Sequence, residues 1–301
     1  MSDITLFSLK PQVKPIELKA VRLEKEIQKL IESNMETFFG TRFLCSEYPI
    51  MHVDDYENQG GRIDSLGIDE NNCPIIFEYK RDANENVINQ GLFYLDWLLD
   101  HQADFKLLVM EKLGKKAAEQ IDWSSPAVYC IANSFGKYDL HAIKQMNRNI
   151  RLIRYANGGD VVMFEYLNSP STASATAKST KASGGTDKTF REQYEGTTPV
   201  LREVVDEVRR YMAAFGNDVL ENELKLYLAI KKARNIVCVE VNKTRAILHL
   251  QLNADTIEET DLVCDARNKG HWGTGDVEVS LKTLEELERV KPLLERAYLE
   301  N

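Results

Sequence analysis

The sequence lacks long hydrophobic runs and any excess of basic residues. Even its apolar residues 91–99 are interrupted by Asp96 and fall well short of the ~18 residues that a membrane-spanning helix needs. Lys plus Arg number 38 and Asp plus Glu 47, which gives a net charge of −9. This balance argues against a protein that coats nucleic acid by bulk charge, because such binding depends on phosphate neutralisation. It leaves open an enzyme whose site carries a metal or a local basic patch.

Cysteine is also scarce, and its pattern carries no motif. The chain has five cysteines, an odd number, at wide spacings and without a C-x-x-C pair. This predicts reduced thiols and neither a disulfide framework nor a zinc site. The N-terminal residues have no basic region followed by an apolar run, so we expect no signal peptide, a cytoplasmic location and no membrane partner.

Residues 168–189 contain no aromatic and no large aliphatic side chain, only small and polar residues with a few charges. Such a segment cannot bury enough apolar surface to offset its ordering entropy. We therefore predict a flexible linker over residues 168–190, between a domain of residues 1–167 and a second domain of residues 191–301. A linker of this kind would let the second domain engage substrate, a protein partner or a second copy.

Alternating apolar patterns predict an α/β fold for the first domain, with a mixed β-sheet flanked by helices. The expected helices cover residues 17–34, 85–102, 112–120 and 137–146. The expected strands cover residues 43–51, 62–68, 74–80, 105–110, 127–132, 150–155 and 161–166. Residues 69–72 have turn composition and predict a hairpin between the second and third strands.

The second domain reads as a small α+β unit with an antiparallel sheet. Helices are expected at residues 199–215 and 284–299, and strands at 235–241, 246–251 and 277–281. Its most distinctive segment, residues 270–276, is rich in glycine. We interpret it as a structural loop with a packed Trp272, since the spacing of a dinucleotide-binding loop is not met.

Three polar residues on the predicted hairpin carry chemistry. Asp64 lies within one strand, and Glu78 and Lys80 end the next, where residues two apart face the same side. Two carboxylates that meet on a sheet repel each other unless a cation such as Mg²⁺ or Mn²⁺ neutralises them. A neighbouring lysine can hold an attacking water and stabilise charge on a phosphate. The competing interpretation is a strand-end aspartate beside an exposed Glu–Lys pair.

A helix that follows the hairpin adds Gln90 and Tyr94, which share one face because they lie four residues apart. For Tyr94, packing in the core is an equal alternative. Gln90 precedes Gly91, which would let another backbone come close and suits the wall of a site.

Asp64, Glu78-x-Lys80, Gln90 and Tyr94 together resemble the PD-(D/E)XK, restriction-endonuclease-like nuclease superfamily, and Gln-x-x-x-Tyr is similar to a motif of its RecB-like branch. The resemblance covers residues 17–155. Glu24, on the first predicted helix, is similar to that fold's first acidic motif, although Glu26 competes for the role. Ile63 replaces the proline of the motif's name.

The resemblance implies a metal-dependent nuclease that hydrolyses phosphodiester bonds of nucleic acid, with DNA expected. Asp64 and Glu78 would bind Mg²⁺ or Mn²⁺, with Glu24 as a further or water-mediated ligand and the Tyr79 carbonyl as another. Lys80 would activate the nucleophilic water, and Gln90 would support the site. Because the superfamily includes members that bind without cutting, an inactive nucleic-acid-binding or adaptor protein is the alternative.

Contacts with nucleic acid are expected from Arg62, Tyr94, Arg148 and Arg151. The last two belong to a basic run that also includes Lys144 and Arg154. Such a run can follow a phosphate backbone. A solvated helix and strand edge is the competing interpretation.

Overall fold

The computed structural model describes residues 4–19, 24–53, 58–80, 87–146, 148–168, 188–216 and 218–301. Its first part contains strands β1 (Leu6–Ser8), β2 (Lys14–Ile16), β3 (Thr41–Val53), β4 (Asn58–Asp69), β5 (Pro74–Lys80), β6 (Ala127–Ala132), β7 (Ile150–Asn157) and β8 (Val162–Tyr166). Its helices are α1 (Glu24–Phe39), α2 (Val87–Asp100), α3 (Gln102–Leu113), α4 (Lys115–Glu119) and α5 (Lys137–Ile143).

Strands β3 to β8 form one mixed sheet in chain order. β3, β4 and β5 make an antiparallel meander, β5, β6 and β7 run parallel, and β8 returns antiparallel to β7. The mixed sheet and the predicted hairpin between β4 and β5 are confirmed. Because β5, β6 and β7 are parallel, their last residues lie along one end of the sheet.

Helices cover both faces of this sheet. The apolar stripe of α1, which includes Ile27, Ile31 and Phe39, packs against the side chains of one face. α2 and α3 pack on the opposite face. β5 is buried along all but its last residue, as a central strand between two helical layers should be. The site residues of β5 are thus held by a rigid core.

Two predicted elements of this part are wrong. Residues 105–110, expected as a strand, lie within helix α3, where Phe105, Leu108 and Val109 are buried at helical spacing. The helix predicted over residues 17–34 is wrong at both bounds, because α1 continues to Phe39 and residues 17–19 lie outside it, with Lys19 bridged to Asn157. A short apolar run fits either type of element until its packing partner is known.

The second part contains helices α6 (Phe190–Gly196), α7 (Pro199–Ala213) and α8 (Leu284–Glu300), and strands β9 (Leu220–Glu223), β10 (Leu228–Lys231), β11 (Asn235–Val241), β12 (Ala246–Leu250), β13 (Val263–Asp265) and β14 (Val277–Leu281). The strands form an antiparallel sheet in the order β13-β14-β12-β11-β10-β9. The amphipathic helices α7 and α8 cover one face and close a core of their own. The predicted α+β unit with an antiparallel sheet is confirmed.

The two parts meet in a buried interface at the β4–β5 turn. Lys231 Nζ lies 3.6 Å from Asp69 Oδ2, and both side chains are almost fully buried. Asn71 exchanges hydrogen bonds with Asn235 and accepts one from the Tyr227 hydroxyl at 2.9 Å. These contacts pack the second part directly against the first. The second part is therefore not a module held by its linker alone. Most of the expected linker, residues 169–187, lies outside the described residues.

The glycine-rich segment 270–276 folds over the second sheet. Gly273, with a φ of +80°, approaches Cys238 so closely that a Cβ would lie 2.7 Å from its side chain. The expectation of a packed Trp272 is wrong, since this side chain is about half exposed. His271 stacks instead on the buried His249, with ring centroids 4.1 Å apart. All five cysteines are free thiols, in agreement with the prediction from their odd number, wide spacings and lack of a C-x-x-C pair. In the part of the chain that the structure describes, no helix is long and apolar enough to cross a bilayer.

Candidate functional site

Asp64 and Glu78 are held together where the β4–β5 ladder opens. Regular pairing ends at Ser65 and Phe77. Beyond that pair, the Tyr79 backbone N–H donates to Asp64 Oδ2 at 2.9 Å, and the Asp64 backbone N–H donates to Glu78 Oε1 at 3.3 Å. Each carboxylate therefore accepts a backbone hydrogen bond at the neighbouring strand. The hairpin brings the two predicted acids side by side.

Glu78 is fully buried, and its charge is poorly compensated. Burial, followed by repulsion from Asp64, raises the pKa of Glu78 to about 9. When Glu78 is ionised, its buried Oε2 has no hydrogen-bond donor among the described residues. An ionised carboxylate in such a place needs either a proton or a cation. The site therefore favours the charged form of Glu78 only when a positive ligand is present.

Asp64 is less buried than Glu78 but shares its environment. Burial raises the pKa of Asp64, while the hydrogen bond from the Tyr79 backbone and the positive charge of Lys80 lower it. The same lysine also lowers the pKa of Glu78. Lys80 thus lies close enough to act on both acids. The predicted trio of Asp64, Glu78 and Lys80 forms one cluster at the end of β5.

Helix α1 supports this cluster with side chains that the sequence analysis did not single out. The buried Gln28 amide donates to the Asp64 carbonyl oxygen at 2.9 Å and to Ser46 Oγ at 3.1 Å. Glu32 accepts from the Ser65 hydroxyl at 2.6 Å and from Gln28 at 2.9 Å. These bonds fix β4 at the Asp64 carbonyl and at the Ser65 side chain that follows it.

Glu24 begins α1, and its negative charge is among those that raise the pKa of Asp64. Glu26, the competing acid, is exposed. Glu47 lies nearby as well, bonded to Lys25 at 2.6 Å and 3.5 Å from Arg62. Of the two competing acids, Glu24 is therefore the one that lies on the side of the site, close to an ion cluster around Glu47.

Gln90 and Tyr94 act as a pair that reaches β4. Gln90 Nε2 donates to the Tyr94 hydroxyl at 2.8 Å, and the Arg62 backbone N–H donates to the same oxygen at 3.3 Å. The Tyr94 ring is buried and passes over Gly61, where a Cβ would lie only 2.8 Å from it. Tyr94 is thus a core residue whose hydroxyl holds the strand two residues before Asp64. Arg62 is exposed at the same end of the sheet.

The fold places the arginines of the predicted nucleic-acid contact in different environments. Arg151 is buried, with its guanidinium over the rings of Tyr129 and Tyr166, so its burial contradicts the prediction that it touches a phosphate. Arg148 is exposed but precedes β7 and therefore lies at the end of the sheet opposite Lys80. Arg154 lies in register with Ala132, which pairs with Lys80, and so belongs to the site end.

A divalent cation fits the pair of acids in its chemistry. Carboxylate oxygens are the ligands that Mg²⁺ and Mn²⁺ prefer, and Mg²⁺ commonly takes only one or two carboxylates and completes its shell with water and substrate oxygens. Among the described residues, no three His, Cys, Asp or Glu side chains cluster closely enough to form a metal site alone. Asp64 and Glu78 would therefore bind a cation together with water, and Glu24 would act through water.

Spacing along α1 could have revealed the missed supports. Glu24, Gln28 and Glu32 lie four residues apart, which places them on one helical face. Glu47 carried no comparable signal. Its φ of +53° interrupts β3, and nothing in its sequence neighbourhood marks that irregularity.

Comparison with known proteins gives one relative and no functional information. The chain is 27% identical over 304 residues to an uncharacterised protein of Haemophilus influenzae, and the match covers 96% of this chain and 97% of the relative. No family model matches the chain. No solved structure matches it. Both sheets and their interface thus fall within one aligned length, and the chain is similar to a protein of the same size.

Proposed function

We propose that this protein is a divalent-cation-dependent nuclease that hydrolyses phosphodiester bonds of nucleic acid, with DNA as the expected substrate. The observation that carries the proposal is the buried pair of Asp64 and Glu78, whose uncompensated charge lies beside Lys80. The resemblance of these residues to the motif of the nuclease superfamily is the second support.

The protein groups have separate roles in the proposed reaction. Asp64 and Glu78 would hold Mg²⁺ or Mn²⁺, which when bound polarises a phosphate and lowers the pKa of a bound water. Lys80 carries a positive charge that acts on both acids, so it would orient the attacking water and stabilise charge that develops on the phosphate. Neither role requires a change of fold.

The surrounding bonds keep the acids in position. The Tyr79 backbone N–H holds the Asp64 carboxylate, and Gln28 holds the Asp64 carbonyl. Gln90 and Tyr94 hold the backbone at Arg62. Reacting groups that are fixed before substrate arrives avoid the cost of reorganisation during the reaction. Gln90 is thus a positioning residue in this proposal.

A cleavage assay with isosteric variants tests the proposal. We expect the purified protein to cut labelled DNA in Mg²⁺ or Mn²⁺ and not in EDTA. Asp64→Asn, Glu78→Gln and Lys80→Met should each lower the rate by roughly 10²-fold or more, since each removes a group acting at the reacting phosphate. RNA and single-stranded DNA substrates identify the preferred class.

Matched controls separate chemistry from folding. Glu111 and Lys115 are exposed residues of α3 and α4, so Glu111→Gln and Lys115→Met should cleave like the wild type. Melting temperatures with and without Mn²⁺ give a readout besides activity. The wild type should gain stability from the cation, and Asp64→Asn should not. Wild-type rates in the three site variants would overturn the assignment.

A non-catalytic nucleic-acid-binding protein is the second candidate. It is favoured by the internal bonding of the pair, because a protonated Glu78 beside a hydrogen-bonded Asp64 is stable without a cation. This candidate predicts salt-sensitive binding in EDTA and no cleavage in any metal. Cleavage that requires Mg²⁺ would exclude it.

A further inference from the structure

The N-terminal hairpin formed by β1 and β2 exposes an unusual amount of apolar surface. Leu9 is 75% exposed, Val13 69% and Phe7 54%. Isolated exposed apolar residues are normal, but a contiguous group marks an interaction surface. These three side chains lie on or at the tip of one short two-stranded ribbon.

The two faces of this ribbon differ. Leu6 and Ile16 pair across the strands and are half-buried, and the Ile16 side chain packs at Gly158, where a Cβ would lie 2.5 Å from it. Phe7 and Pro15 pair on the other face and are exposed. One face therefore attaches the ribbon to the body of the protein, and the other is turned to solvent.

The ribbon is anchored at the same end of the sheet as the acidic pair. Lys19 exchanges two backbone hydrogen bonds with Asn157, the last residue of β7, at 2.7 and 2.9 Å. Glu24, whose charge reaches Asp64, follows Lys19 by five residues, a span of at most ~18 Å.

The charge of the ribbon is opposite to that of the chain. Residues 4–19 contain three lysines and one glutamate, whereas the whole chain has a net charge of −9. Lys10 and Lys14 are exposed near the tip. Lys14 pairs with Ser8 on the face of Leu6 and Ile16, but two residues nearer the tip, where the ribbon is open to solvent. A basic ribbon with an aromatic and aliphatic tip matches a phosphate backbone with exposed bases.

We propose that the β1–β2 hairpin is a nucleic-acid-binding arm that holds the substrate beside the acidic pair. Lys10 and Lys14 contact backbone phosphates, and Phe7 and Leu9 contact base surfaces, either by stacking on unpaired bases or by insertion at a base step. This inference rests on the proposed function for the identity of the substrate. It assigns a role to a segment outside the resemblance to nucleases.

Binding measured without cleavage tests the arm. Fluorescence anisotropy in EDTA would use labelled single-stranded and duplex DNA oligonucleotides over a range of salt concentrations. Phe7→Ala/Leu9→Ala should weaken binding at least fivefold, which corresponds to about 1 kcal/mol or more for the lost base contacts. Lys10→Ala/Lys14→Ala should reduce the salt slope by about 1.4 to 1.8.

Two double variants provide matched controls of equal chemistry. Leu107→Ala/Leu299→Ala removes exposed apolar side chains elsewhere, and Lys115→Ala/Lys116→Ala removes two exposed lysines of α4. Both should bind like the wild type. A greater loss on single strands in Phe7→Ala/Leu9→Ala supports stacking, and a greater loss on duplex supports insertion.

The outcomes separate the arm from the proposed reaction. Wild-type affinity in both hairpin variants, or no binding by the wild type, overturns the arm even if cleavage occurs. Weakened binding in the hairpin variants without any metal-dependent cleavage supports the arm and overturns the nuclease. Light scattering completes the test, because a dimer that becomes a monomer in Phe7→Ala/Leu9→Ala would assign this face to a second copy and overturn the proposal.

Discussion

Glu78 is more deeply buried than its partner Asp64 at the candidate site. A fully buried carboxyl next to Asp64 keeps its proton up to a pH of about 9, against an ordinary value of 4.5. The backbone N–H of Asp64 and the Lys80 charge oppose this rise and favour ionisation. The protein thus holds an acid that is neutral at physiological pH and would release its proton when a cation binds.

This environment makes stability depend on pH. The folded-state pKa of Glu78 is raised, so its stabilising contribution is complete below about 4.5 and is lost as the pH rises through about 9. Glu78→Gln stays neutral throughout. In EDTA, we expect the free energy of unfolding of Glu78→Gln to gain at least about 1.4 kcal/mol over the wild type between pH 5 and pH 9.

Urea denaturation at several pH values measures this difference. Glu111→Gln, on an exposed turn of α3, serves as the control and should follow the wild-type curve. Parallel curves for Glu78→Gln and the wild type would contradict the raised pKa. If Mn²⁺ restores the stability that the wild type loses at high pH, the same carboxyl takes part in cation binding.

At the scale of elements, α2 is the helix that carries Gln90 and Tyr94 to β4. Its closest approach to the sheet is at Gly91, where a Cβ would lie 2.5 Å from Val128 Cγ1 of β6. Val128 is fully buried, and its branched side chain has little freedom to move. The small residue was expected to admit a neighbouring backbone, and it instead admits a side chain.

The packing at Gly91 reverses the usual effect of a helical glycine. Gly→Ala in the interior of a helix normally stabilises by about 1 kcal/mol. We expect Gly91→Ala to destabilise by roughly 1–3 kcal/mol, because the added methyl group overpacks the contact with β6. Thermal or urea denaturation measures this change. Val128→Ala in the same chain should restore part of the loss, and a stabilised Gly91→Ala would contradict the observed approach.

Helix α3 illustrates why a short apolar segment misleads. Residues 105–110 hold five apolar side chains, which fits a buried strand. In the fold, Phe105, Leu108 and Val109 face the core while Leu107 and Met110 are exposed. The choice between a helix and a strand depended on which surface the segment meets. That information lies in distant residues.

At the scale of the whole molecule, a polar interface joins the two sheets. Burial is the largest single effect on Lys231 and disfavours its charge, but Asp69 together with other negative groups that include Glu70 raises the pKa of the lysine. Asn71, Asn235 and Tyr227 satisfy one another beside this pair. Polar groups that are paired across the interface favour one orientation of the second part on the first.

A double-mutant cycle measures the coupling. Asp69→Asn and Lys231→Met should each destabilise the protein by roughly 3 kcal/mol, because each leaves a buried charge without its partner. The double variant should lose much less than the sum, which gives a coupling of about 1–3 kcal/mol by urea denaturation. The exposed pair of Asp261 and Arg289 is the control, and its coupling should be much smaller because solvent screens both charges. A similarly small value at Asp69 and Lys231 would contradict a buried ion pair.

The sequence by itself determined what depends on neighbouring residues. Alternating apolar residues and the turn at residues 69–72 predicted the hairpin of β4 and β5, so Asp64 and Glu78 could be placed together before the fold was known. Helical spacing likewise predicted that Gln90 and Tyr94 share a face. The nuclease reaction and its metal remain predictions.

The tertiary structure decided what depends on contacts between distant segments. It placed Gln28 and Glu32 against the strand of Asp64, buried Arg151 under two tyrosines, and set Lys231 against Asp69. The burial of Glu78 and its raised pKa likewise depend on contacts between distant segments. These properties arise from packing across layers, where desolvation and pairing depend on which surfaces meet, and no local pattern in the chain encodes that choice.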